Sequence, residues 1–385
     1  MATTIPTTHK AVAVPGLRQN YTLIDRPTKR PAPGEALVRV DWAASSPADV
    51  HVIDGGVADP QFPFVTGTCF AGTVVQMGAR DPAAAPHRTQ DLRAGDPVLG
   101  FTFGPPDRKT HQAYLTTPTY NLGRRPPNVS PEQASTVPAN LVTAFHTLTR
   151  DLGLPLADGQ TGTGTATDNK DKDKDKPVLL WGAASGVGQY AAQVLRHYGY
   201  ANVVAVASAR HHAYLAGLGA TACFDYRDPD VVERVRAHLG GAAPPYVIDC
   251  IGSREGTLRP LTKIAGAGSR VAVMLPVITR EAATGDGGGE VPEYEMDIGK
   301  VLAGEWAEGV EVRGVRTYFY QENEFFKYHL MPEIVPDLLA KGVIQPNRYK
   351  VVEGPTMLER AQGALDILRG KAQSGEKIIW RVSDE

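Results

Sequence analysis

Hydrophobic and polar positions change their pattern near the middle of the chain. The first 150 residues carry short, β-rich apolar segments separated by Pro and Gly, among them 35–42 (EALVRVDW), 72–76 and 96–101. Repeated short strands with turn residues between them are typical of all-β folds. The pattern predicts a first domain, residues 1–150, built as a partly open β-barrel.

From Pro177 onward, apolar strands alternate with helical segments. VLLW (178–181) is followed by a glycine turn, a helix over 187–198 and the strand VVAVA (203–207), and the alternation continues to residue 275. Strands that are apolar throughout are typical of a parallel sheet covered on both faces. The pattern predicts an α/β fold with a doubly wound parallel sheet over 151–320. Helices over 333–341 and 357–369 and a strand over 377–382 form a C-terminal segment, 321–385, which we expect to return to the first domain.

Two polar stretches interrupt these patterns. Residues 158–176 (DGQTGTGTATDNKDKDKDK) contain no large apolar side chain, so they cannot bury enough surface to offset the entropy of ordering. We predict a disordered insert there. The glycine-rich residues 284–289 follow a strand of the sheet and are either a solvated loop or a border of the active site.

Charge and composition exclude several classes of protein. The 385 residues include 40 Lys and Arg and 42 Asp and Glu, for a net charge of -2, which argues against a nucleic-acid-binding protein. No apolar run approaches the ~20 residues that span a bilayer, and no secretory signal is visible, so a cytoplasmic location is expected. The three cysteines, Cys69, Cys223 and Cys250, are too far apart in sequence to form a metal or redox pair.

A glycine-rich turn lies between the first strand and the first helix of the α/β region. Gly182, Gly186 and Gly188 occur in WGAASGVGQY. Small residues let the backbone approach a pyrophosphate, whose charge is received by the N–H groups and dipole of the helix. A nucleotide site is predicted; the alternative is a tight turn with close helix packing. The remaining residues of the predicted site in this turn are Ala184, Ser185 and Val187.

The residues after the second strand indicate which nucleotide is bound. An NAD site normally has an acidic residue about 20 positions beyond the glycines, but no acidic residue occurs between Pro177 and Asp225. Ser208, Arg210 and His211 follow the strand instead, and a guanidinium suits a 2′-phosphate. We therefore predict NADPH, with solvated surface positions as the alternative for Arg210 and His211.

Further stretches carry a family resemblance. They include SSPADVH (45–51), VTGTCFAGTVV (65–75), TVPANLVTAFHTL (136–148), GAASGVGQYAAQVL (182–195), VIDCIGS (247–253) and SGEKIIWRV (374–382). Together they resemble the medium-chain dehydrogenase/reductase superfamily, in particular its zinc-free quinone-reductase and enoyl-reductase branch and the fungal trans-acting enoyl reductases of polyketide biosynthesis. The resemblance implies a GroES-like barrel, a Rossmann domain, and NADPH-dependent reduction of an activated C=C bond in an enoyl thioester or enone of secondary metabolism. The implied partners are a small-molecule or carrier-protein-bound enoyl substrate and a polyketide synthase.

The resemblance also locates the positions at which zinc-dependent members bind their metal. Those members have a Cys near the end of an early strand and a His in a Gly-His-Glu turn. The corresponding residues here are 44–46 (ASS) and Gly67-Thr68-Cys69. One Cys cannot supply three or four nitrogen or sulfur ligands, so we predict a zinc-independent enzyme.

Candidate catalytic residues follow from the same resemblance. Ser46 and Asp49 match positions near the cofactor, and His51 stands where many relatives have a Lys. An imidazole can donate a hydrogen bond or a proton near neutral pH, although a structural role for His51 remains open. Asn140 and Thr143 resemble positions that meet the nicotinamide and the substrate, with helix capping as the alternative.

The remaining candidates lie at strand ends. Tyr226 resembles a tyrosine near the adenosine phosphate, with packing at a sheet end as the alternative. Lys377 resembles a lysine that reaches the cofactor, with an exposed surface lysine as the alternative. Ile251 and Gly252 follow the fourth strand, at the edge where open α/β sheets bind ligands. Three residues that follow the next strand are predicted to form an apolar wall for the substrate: Met274, Leu275 and Pro276.

Other functions are compatible with the same sequence. A quinone reductase or another natural-product tailoring enzyme would have the same fold, and a non-catalytic NADPH-binding protein would retain the glycine turn. The substrate, its stereochemistry and the oligomeric state are left open.

Overall fold

The computed structural model describes residues 5–80, 91–156, 173–281 and 291–383, which divide into two compact units. Unit 1 is drawn from residues 1–139 and 321–385, and unit 2 from residues 140–320. The first boundary lies within a helix, earlier than the predicted division at residue 150.

Unit 1 begins with β1 (Thr8–Val14), β2 (Thr22–Pro27), β3 (Glu35–Ser45), α1 (Pro47–Gly55), β4 (Phe64–Val65), β5 (Cys69–Met77), β6 (Pro97–Phe101), β7 (Tyr114–Pro118), β8 (Leu122–Arg124) and α2 (Pro131–Ser135). The helix α3 (Pro138–His146) contains the boundary. Unit 2 continues with β9 (Val178–Trp181), α4 (Gly186–His197), β10 (Val203–Val206), α5 (His212–Leu218), β11 (Ala222–Phe224), α6 (Val231–His238), β12 (Tyr246–Asp249), α7 (Arg259–Thr262), β13 (Arg270–Met274), β14 (Val277–Arg280), β15 (Glu293–Glu295) and β16 (Glu311–Val315). The C-terminal part of unit 1 has α8 (Glu324–His329), α9 (Val335–Ala340), β17 (Tyr349–Val351), α10 (Met357–Arg369) and β18 (Lys377–Arg381).

β3 is the central strand of unit 1. It pairs antiparallel with β5 along most of its length, with β7 over its first half and with β18 over its second half. The larger sheet has the order β17-β18-β3-β5-β6-β8, and β1 pairs with β2 and β4 in a smaller one. Apolar side chains from the larger sheet and from α10, including Phe70, Trp380 and Leu365, form the buried core. The predicted barrel of short strands is confirmed.

Unit 2 is built on a parallel sheet with the order β11-β10-β9-β12-β13-β16. Every neighbouring pair in this order is parallel, and the residues of β9, β10 and β12 are all buried. The chain proceeds outward from β9 to β11 and then resumes on the other side at β12, so the strand order reverses between β9 and β12. Ligands of open α/β sheets bind at the carboxyl ends of the strands at this point. The predicted doubly wound sheet is confirmed.

The structure describes only the last four residues of the predicted disordered insert, 173–176. Residues 157–172 and the glycine-rich residues 284–289 lie outside the described residues. Residues 173–176, however, contact other parts of unit 2: the Tyr246 hydroxyl donates to Asp173 Oδ2 at 3.1 Å, and the Ala201 N–H donates to the Lys174 carbonyl at 2.9 Å. The prediction of a disordered insert over 158–176 is therefore wrong for its last part, because Tyr246 and Ala201 donate hydrogen bonds to Asp173 and Lys174.

A buried carboxyl lies just after α3. Asp151 is buried in unit 2, and its Oδ2 atom has no hydrogen-bond partner among the described residues. His146 Nε2 is 3.9 Å from the same oxygen. Burial raises the pKa of Asp151 to about 7, although the positive charges of Arg313 and Arg150 lower it. Burial, together with Arg150, lowers the pKa of His146 to about 4. Both side chains are therefore favoured in their neutral forms.

We expect Asp151→Asn to stabilise the protein most at pH 8 and considerably less at pH 5. An unfolded Asp ionises near pH 4, whereas the folded Asp151 carboxyl retains its proton up to about pH 7. Wild-type stability should therefore fall as the pH rises through this interval, and the neutral amide removes that loss. The difference in Tm should grow to several degrees at pH 8, since about 1 kcal/mol corresponds to roughly 2–4 °C in units of this size.

Thermal unfolding of both proteins between pH 5 and pH 8 checks this expectation. Asp337→Asn is the control, because Asp337 is exposed and paired with Lys341. A difference in Tm between Asp151→Asn and wild type that is constant across this range would contradict the prediction.

Within the described ranges, no helix combines the length and the apolar character that a bilayer crossing requires.

Candidate active site

The glycine turn after β9 packs tightly against its neighbours in unit 2. Gly182 has a φ of 75°, and a Cβ there would lie 2.4 Å from the Ile251 side chain. A Cβ on Gly188 would lie 2.6 Å from backbone atoms of Ala183. Ser185 is the N-cap of α4, and its hydroxyl accepts the Gly188 N–H at 3.2 Å. A side chain at either position would therefore force the turn or its neighbours to shift.

The residues of this turn fit the pyrophosphate of a dinucleotide. α4 begins at Gly186, and the first N–H groups of a helix have no intrahelical acceptor. The N–H groups of Gly186 and Val187 are among them. Ala184 lies in the same turn, and its carbonyl accepts the Gln189 side-chain amide at 2.7 Å. The N–H groups at the start of α4, the helix dipole and the absent Cβ atoms together form a cradle for a negatively charged group.

The loops after β10 and β11 bring Ser208, Arg210 and Tyr226 to one edge of the sheet. The Ser208 hydroxyl donates to the Tyr226 hydroxyl at 3.4 Å. Tyr226 is 50% exposed, and the Arg210 side chain is exposed as well. An exposed aromatic ring, a hydroxyl and a guanidinium are suited to an adenosine carrying a phosphate.

His211 is placed differently from its neighbours. Its side chain is buried, at 8% exposure, because the short 3₁₀ turn 209–211 directs it into unit 2. The alternative interpretation of His211 as a solvated side chain is therefore wrong. The adjacent His212 is fixed by a 2.9 Å hydrogen bond between Nε2 and the Ala207 carbonyl.

The loop after β12 is held by one fully buried carboxylate. Asp249 Oδ1 accepts the N–H groups of Ile251 at 3.0 Å and Gly252 at 3.2 Å, and Oδ2 accepts the Thr257 hydroxyl at 2.6 Å. Burial raises the pKa of Asp249 to about 6, although these three donors lower it. Asp249 therefore positions Ile251, which is 42% exposed, and Gly252 at the carboxyl edge of the sheet.

The end of β13 adjoins this loop. A Cβ on Gly252 would lie 2.3 Å from the Met274 carbonyl oxygen, and the Leu275 side chain packs where Gly314 has no Cβ. Met274 and Leu275 are half-buried and Pro276 is buried. Of the predicted apolar wall, only the first two side chains are accessible.

α3 contributes two further candidates to unit 2. The Thr143 hydroxyl lies 2.9 Å from the Thr317 hydroxyl, and Thr143 is 8% exposed. Asn140 is half-buried one turn earlier in the same helix. The Thr143 side chain is thus held beside a hydroxyl that is distant in sequence.

A second group of candidates lies in unit 1, at the start of α1. Ser46 is the N-cap of α1, and its N–H donates to Asp49 Oδ2 at 2.8 Å. Asp49 Oδ1 accepts the Gly67 N–H at 3.1 Å. Both carboxylate oxygens of Asp49 therefore accept backbone N–H groups, and these hydrogen bonds fix α1 against the Gly67 turn. His51 is half-buried within α1.

Lys377, at the start of β18, is buried close to this group. Burial lowers the pKa of Lys377, and the nearby Cys69 thiol and Asp49 carboxylate oppose this shift. A buried ammonium is one that a nearby anion would stabilise. The exposed-lysine alternative for this position is wrong.

Sequence reasoning did not identify a hydrogen-bonded group beneath the Gly67 turn. The Thr66 hydroxyl lies 2.6 Å from the Tyr21 hydroxyl and 2.7 Å from His111 Nδ1. A Cβ on Gly67 would lie 2.3 Å from His111 and Thr110. In the sequence around this group, Gly67 alone marks an unusual position, because its φ of 89° favours glycine.

The positions that bind metal in zinc-dependent relatives have a different chemistry here. Cys69 is 1% exposed, and its thiol donates to the Ser135 carbonyl at 3.0 Å. Burial raises the pKa of the Cys69 thiol to about 11, so it stays protonated at neutral pH and is a poor ligand. Across the described ranges, no group of three or more His, Cys, Asp or Glu side chains is arranged to hold a metal ion.

Comparisons with known proteins agree with this architecture. The family model described as alcohol dehydrogenase GroES-like domain matches residues 32–126, and the model described as zinc-binding dehydrogenase matches residues 186–275. The trans-enoyl reductase himH of Aspergillus japonicus is 28% identical over 363 residues, covering 91% of this chain and 90% of that protein. The trans-enoyl reductase tazE of Aspergillus terreus is 31% identical over 236 residues, covering 59% of this chain and 71% of that protein.

A solved structure shows the same fold. An alcohol dehydrogenase superfamily protein from Novosphingobium aromaticivorans superposes with a TM-score of 0.72 at 21% identity, covering 97% of this chain and 100% of that one. The chain belongs to the medium-chain dehydrogenase/reductase superfamily and is an oxidoreductase. Within that superfamily it resembles the fungal trans-enoyl reductases along almost its whole length. The family predicted from the sequence is confirmed.

Proposed function

We propose that the chain reduces the activated C=C bond of an enoyl thioester or enone in secondary metabolism, using NADPH and no metal ion. The observation that carries the proposal is the residue set at the metal positions of zinc-dependent relatives, where Thr68 and the buried neutral thiol of Cys69 stand. Interconversion of an alcohol and a carbonyl benefits from a Lewis acid, whereas a conjugated alkene is already electron-poor. The names of the relatives, trans-enoyl reductases, point to the same reaction.

The residues of the site can be assigned complementary tasks. The glycine turn and the start of α4 bind the pyrophosphate, and Ser208 with Arg210 binds the 2′-phosphate. When bound, the cofactor supplies the hydride. Reduction of an α,β-unsaturated carbonyl places negative charge on the carbonyl oxygen and requires a proton at the α-carbon. His51 is the candidate for one of these two tasks, and Thr143 and Asn140 are candidates for orienting the reactants.

A direct assay tests the proposal. Purified protein is mixed with NADPH and a crotonyl thioester, and NADPH consumption is followed together with the mass of the product. We expect a product heavier by two hydrogens, faster turnover with NADPH than with NADH, and no loss of activity with chelators. Turnover of quinones alone would favour a quinone reductase, and tight NADPH binding without oxidation by any alkene would indicate a non-catalytic protein.

We also propose that the natural substrate is presented by a carrier protein of a polyketide synthase. A carrier-bound enoyl chain should then be reduced with a lower KM than the same chain on a small thiol. Equal KM values would contradict this part of the proposal.

Arg210→Ala should weaken NADPH binding by about an order of magnitude or more while leaving NADH binding nearly unchanged. The variant loses charge-assisted hydrogen bonds to the 2′-phosphate, which contribute on the order of 2 kcal/mol. Calorimetric titration with each cofactor measures both effects. Equal losses for the two cofactors would refute the assignment of Arg210 to the 2′-phosphate.

A further inference from the structure

An acidic side chain reaches the loop after β10 from the neighbouring strand. Asp225 follows β11, and its Oδ2 accepts the N–H of Ala209 at 2.9 Å. Ala209 lies between Ser208 and Arg210, the two residues proposed to bind the 2′-phosphate. The stretch that appears free of carboxylates in the sequence therefore has one against it in the folded protein.

Arg227 occupies both oxygens of this carboxylate. Its Nε donates to Oδ1 at 3.0 Å and its Nη2 donates to Oδ2 at 2.8 Å, while its backbone N–H donates to Oδ1 at 3.0 Å. These hydrogen bonds hold the pKa of Asp225 well below its usual range, so the pair is a carboxylate and a guanidinium at neutral pH. The guanidinium also lies 5.7 Å from the centroid of the Tyr226 ring.

The two charges have opposite consequences for the two cofactors. A carboxylate beside this loop is the group by which NAD-binding sites hold the ribose 2′-hydroxyl, and it repels a 2′-phosphate. Asp225 is mostly buried, with a side chain 13% exposed, whereas Arg227 is 58% exposed. The face that the pair presents to solvent is thus mainly cationic.

We propose that Arg227 determines cofactor specificity by masking Asp225, so that a position suited to a ribose hydroxyl accepts a 2′-phosphate instead. The role rests on the proposed NADPH site. Specificity of this kind depends on removing a repulsive element as well as on adding an attractive one. Arg210 would supply the attraction, and Arg227 would cancel the repulsion.

A purely structural role for Arg227 would not predict different effects of its removal on NADPH and NADH binding. Exposed ion pairs contribute little to stability, and the chain has a similar pair next to this one. Arg234, in α6, is paired with Asp228 and is comparably exposed. It provides the matched control because it has the same charge and lies seven residues beyond Arg227.

The experiment is a double-mutant cycle read by binding rather than by turnover. Wild type, Arg227→Ala, Asp225→Asn, the double variant and Arg234→Ala are titrated calorimetrically with NADPH, NADH and adenosine 2′,5′-bisphosphate. Asn retains an oxygen that can accept the Ala209 N–H but carries no charge. Circular dichroism and Tm values verify that each variant is folded.

We expect Arg227→Ala to weaken binding of NADPH and of the bisphosphate by about one to two orders of magnitude, the scale of an uncompensated like charge, with NADH binding unchanged or tighter. The double variant should recover NADPH binding to within a few-fold of wild type, because the repelling carboxylate is gone. Arg234→Ala should behave like wild type.

Three results would overturn the inference or its basis. Normal NADPH binding by Arg227→Ala would show that Asp225 does not repel the 2′-phosphate. A double variant as weak as Arg227→Ala would mean that Arg227 contacts the phosphate directly instead of masking the acid. If wild type binds NADPH no better than NADH, the proposed NADPH site itself is wrong.

Discussion

Gly188→Ala is expected to lower the thermal stability of the protein and to weaken NADPH binding together. The new Cβ would lie 2.6 Å from the Cα and carbonyl oxygen of Ala183, and rigid backbone cannot move aside as a side chain could. Overpacking of this kind costs about 1–3 kcal/mol. The turn and the start of α4 must shift to relieve it, which displaces the N–H groups proposed to bind the pyrophosphate. We expect NADPH affinity to fall at least tenfold, the equivalent of about 1.4 kcal/mol.

Gly217→Ala is the matched control for this substitution. Gly217 lies in α5, and a Cβ there would meet nothing within 4 Å. Alanine in a helix is favoured over glycine by about 1 kcal/mol, so this variant should be slightly more stable and should bind NADPH normally. Thermal unfolding and calorimetry distinguish the two variants. If Gly188→Ala bound NADPH and unfolded like wild type, the turn would not be as tightly packed as the structure indicates.

The glycine turn shows what a single sequence can predict. The strand before it, the helix after it and the small residues between them are adjacent in the chain, so local patterns of periodicity and residue size are sufficient. The apolar strands of unit 2 were predictable for the same reason, because burial on both faces makes each of them continuously hydrophobic. The order of those strands in the sheet could not be predicted from local patterns, since parallel strands pair across long crossovers.

Contacts between distant residues account for what the sequence did not reveal. A count of positions from the glycines does not identify Asp225, because its carboxylate reaches the loop from the end of the adjacent strand. Tyr21, Thr66 and His111 form one hydrogen-bonded group, although Tyr21 and His111 are 90 positions apart. No local pattern distinguishes a buried threonine or histidine that joins such a group from a solvated one.

Asp49 shows a related difficulty. The family resemblance placed it near the cofactor, and the structure shows that both of its oxygens hold backbone N–H groups at Ser46 and Gly67. A carboxylate in this arrangement fixes the first turn of α1, with Pro47 as the first helical residue. Its main consequence in unit 1 is therefore to hold α1, and His51 with it, in one position.

Removal of the imidazole at residue 51 should have the largest effect on turnover. If His51 donates a proton or holds the carbonyl oxygen, His51→Ala should lower kcat by roughly two to four orders of magnitude, the scale of a positioned acid, with little change in NADPH affinity. His51→Gln separates the two roles, because an amide can donate a hydrogen bond but cannot transfer a proton at neutral pH. Activity in the Gln variant alone would assign stabilisation of the oxygen. Loss in both variants, with a solvent isotope effect in wild type, would assign proton transfer.

His329→Ala is a suitable control for the loss of an imidazole in unit 1. His329 lies in α8, where its Nδ1 is 2.7 Å from Glu333 Oε2, and no task in the proposed reaction falls to it. Its replacement should leave kcat and NADPH affinity unchanged. Full activity in both His51 variants would make His51 a structural residue of α1, and water would then be the remaining proton source. The contribution of the protein to the reaction would in that case be the orientation of the cofactor and substrate.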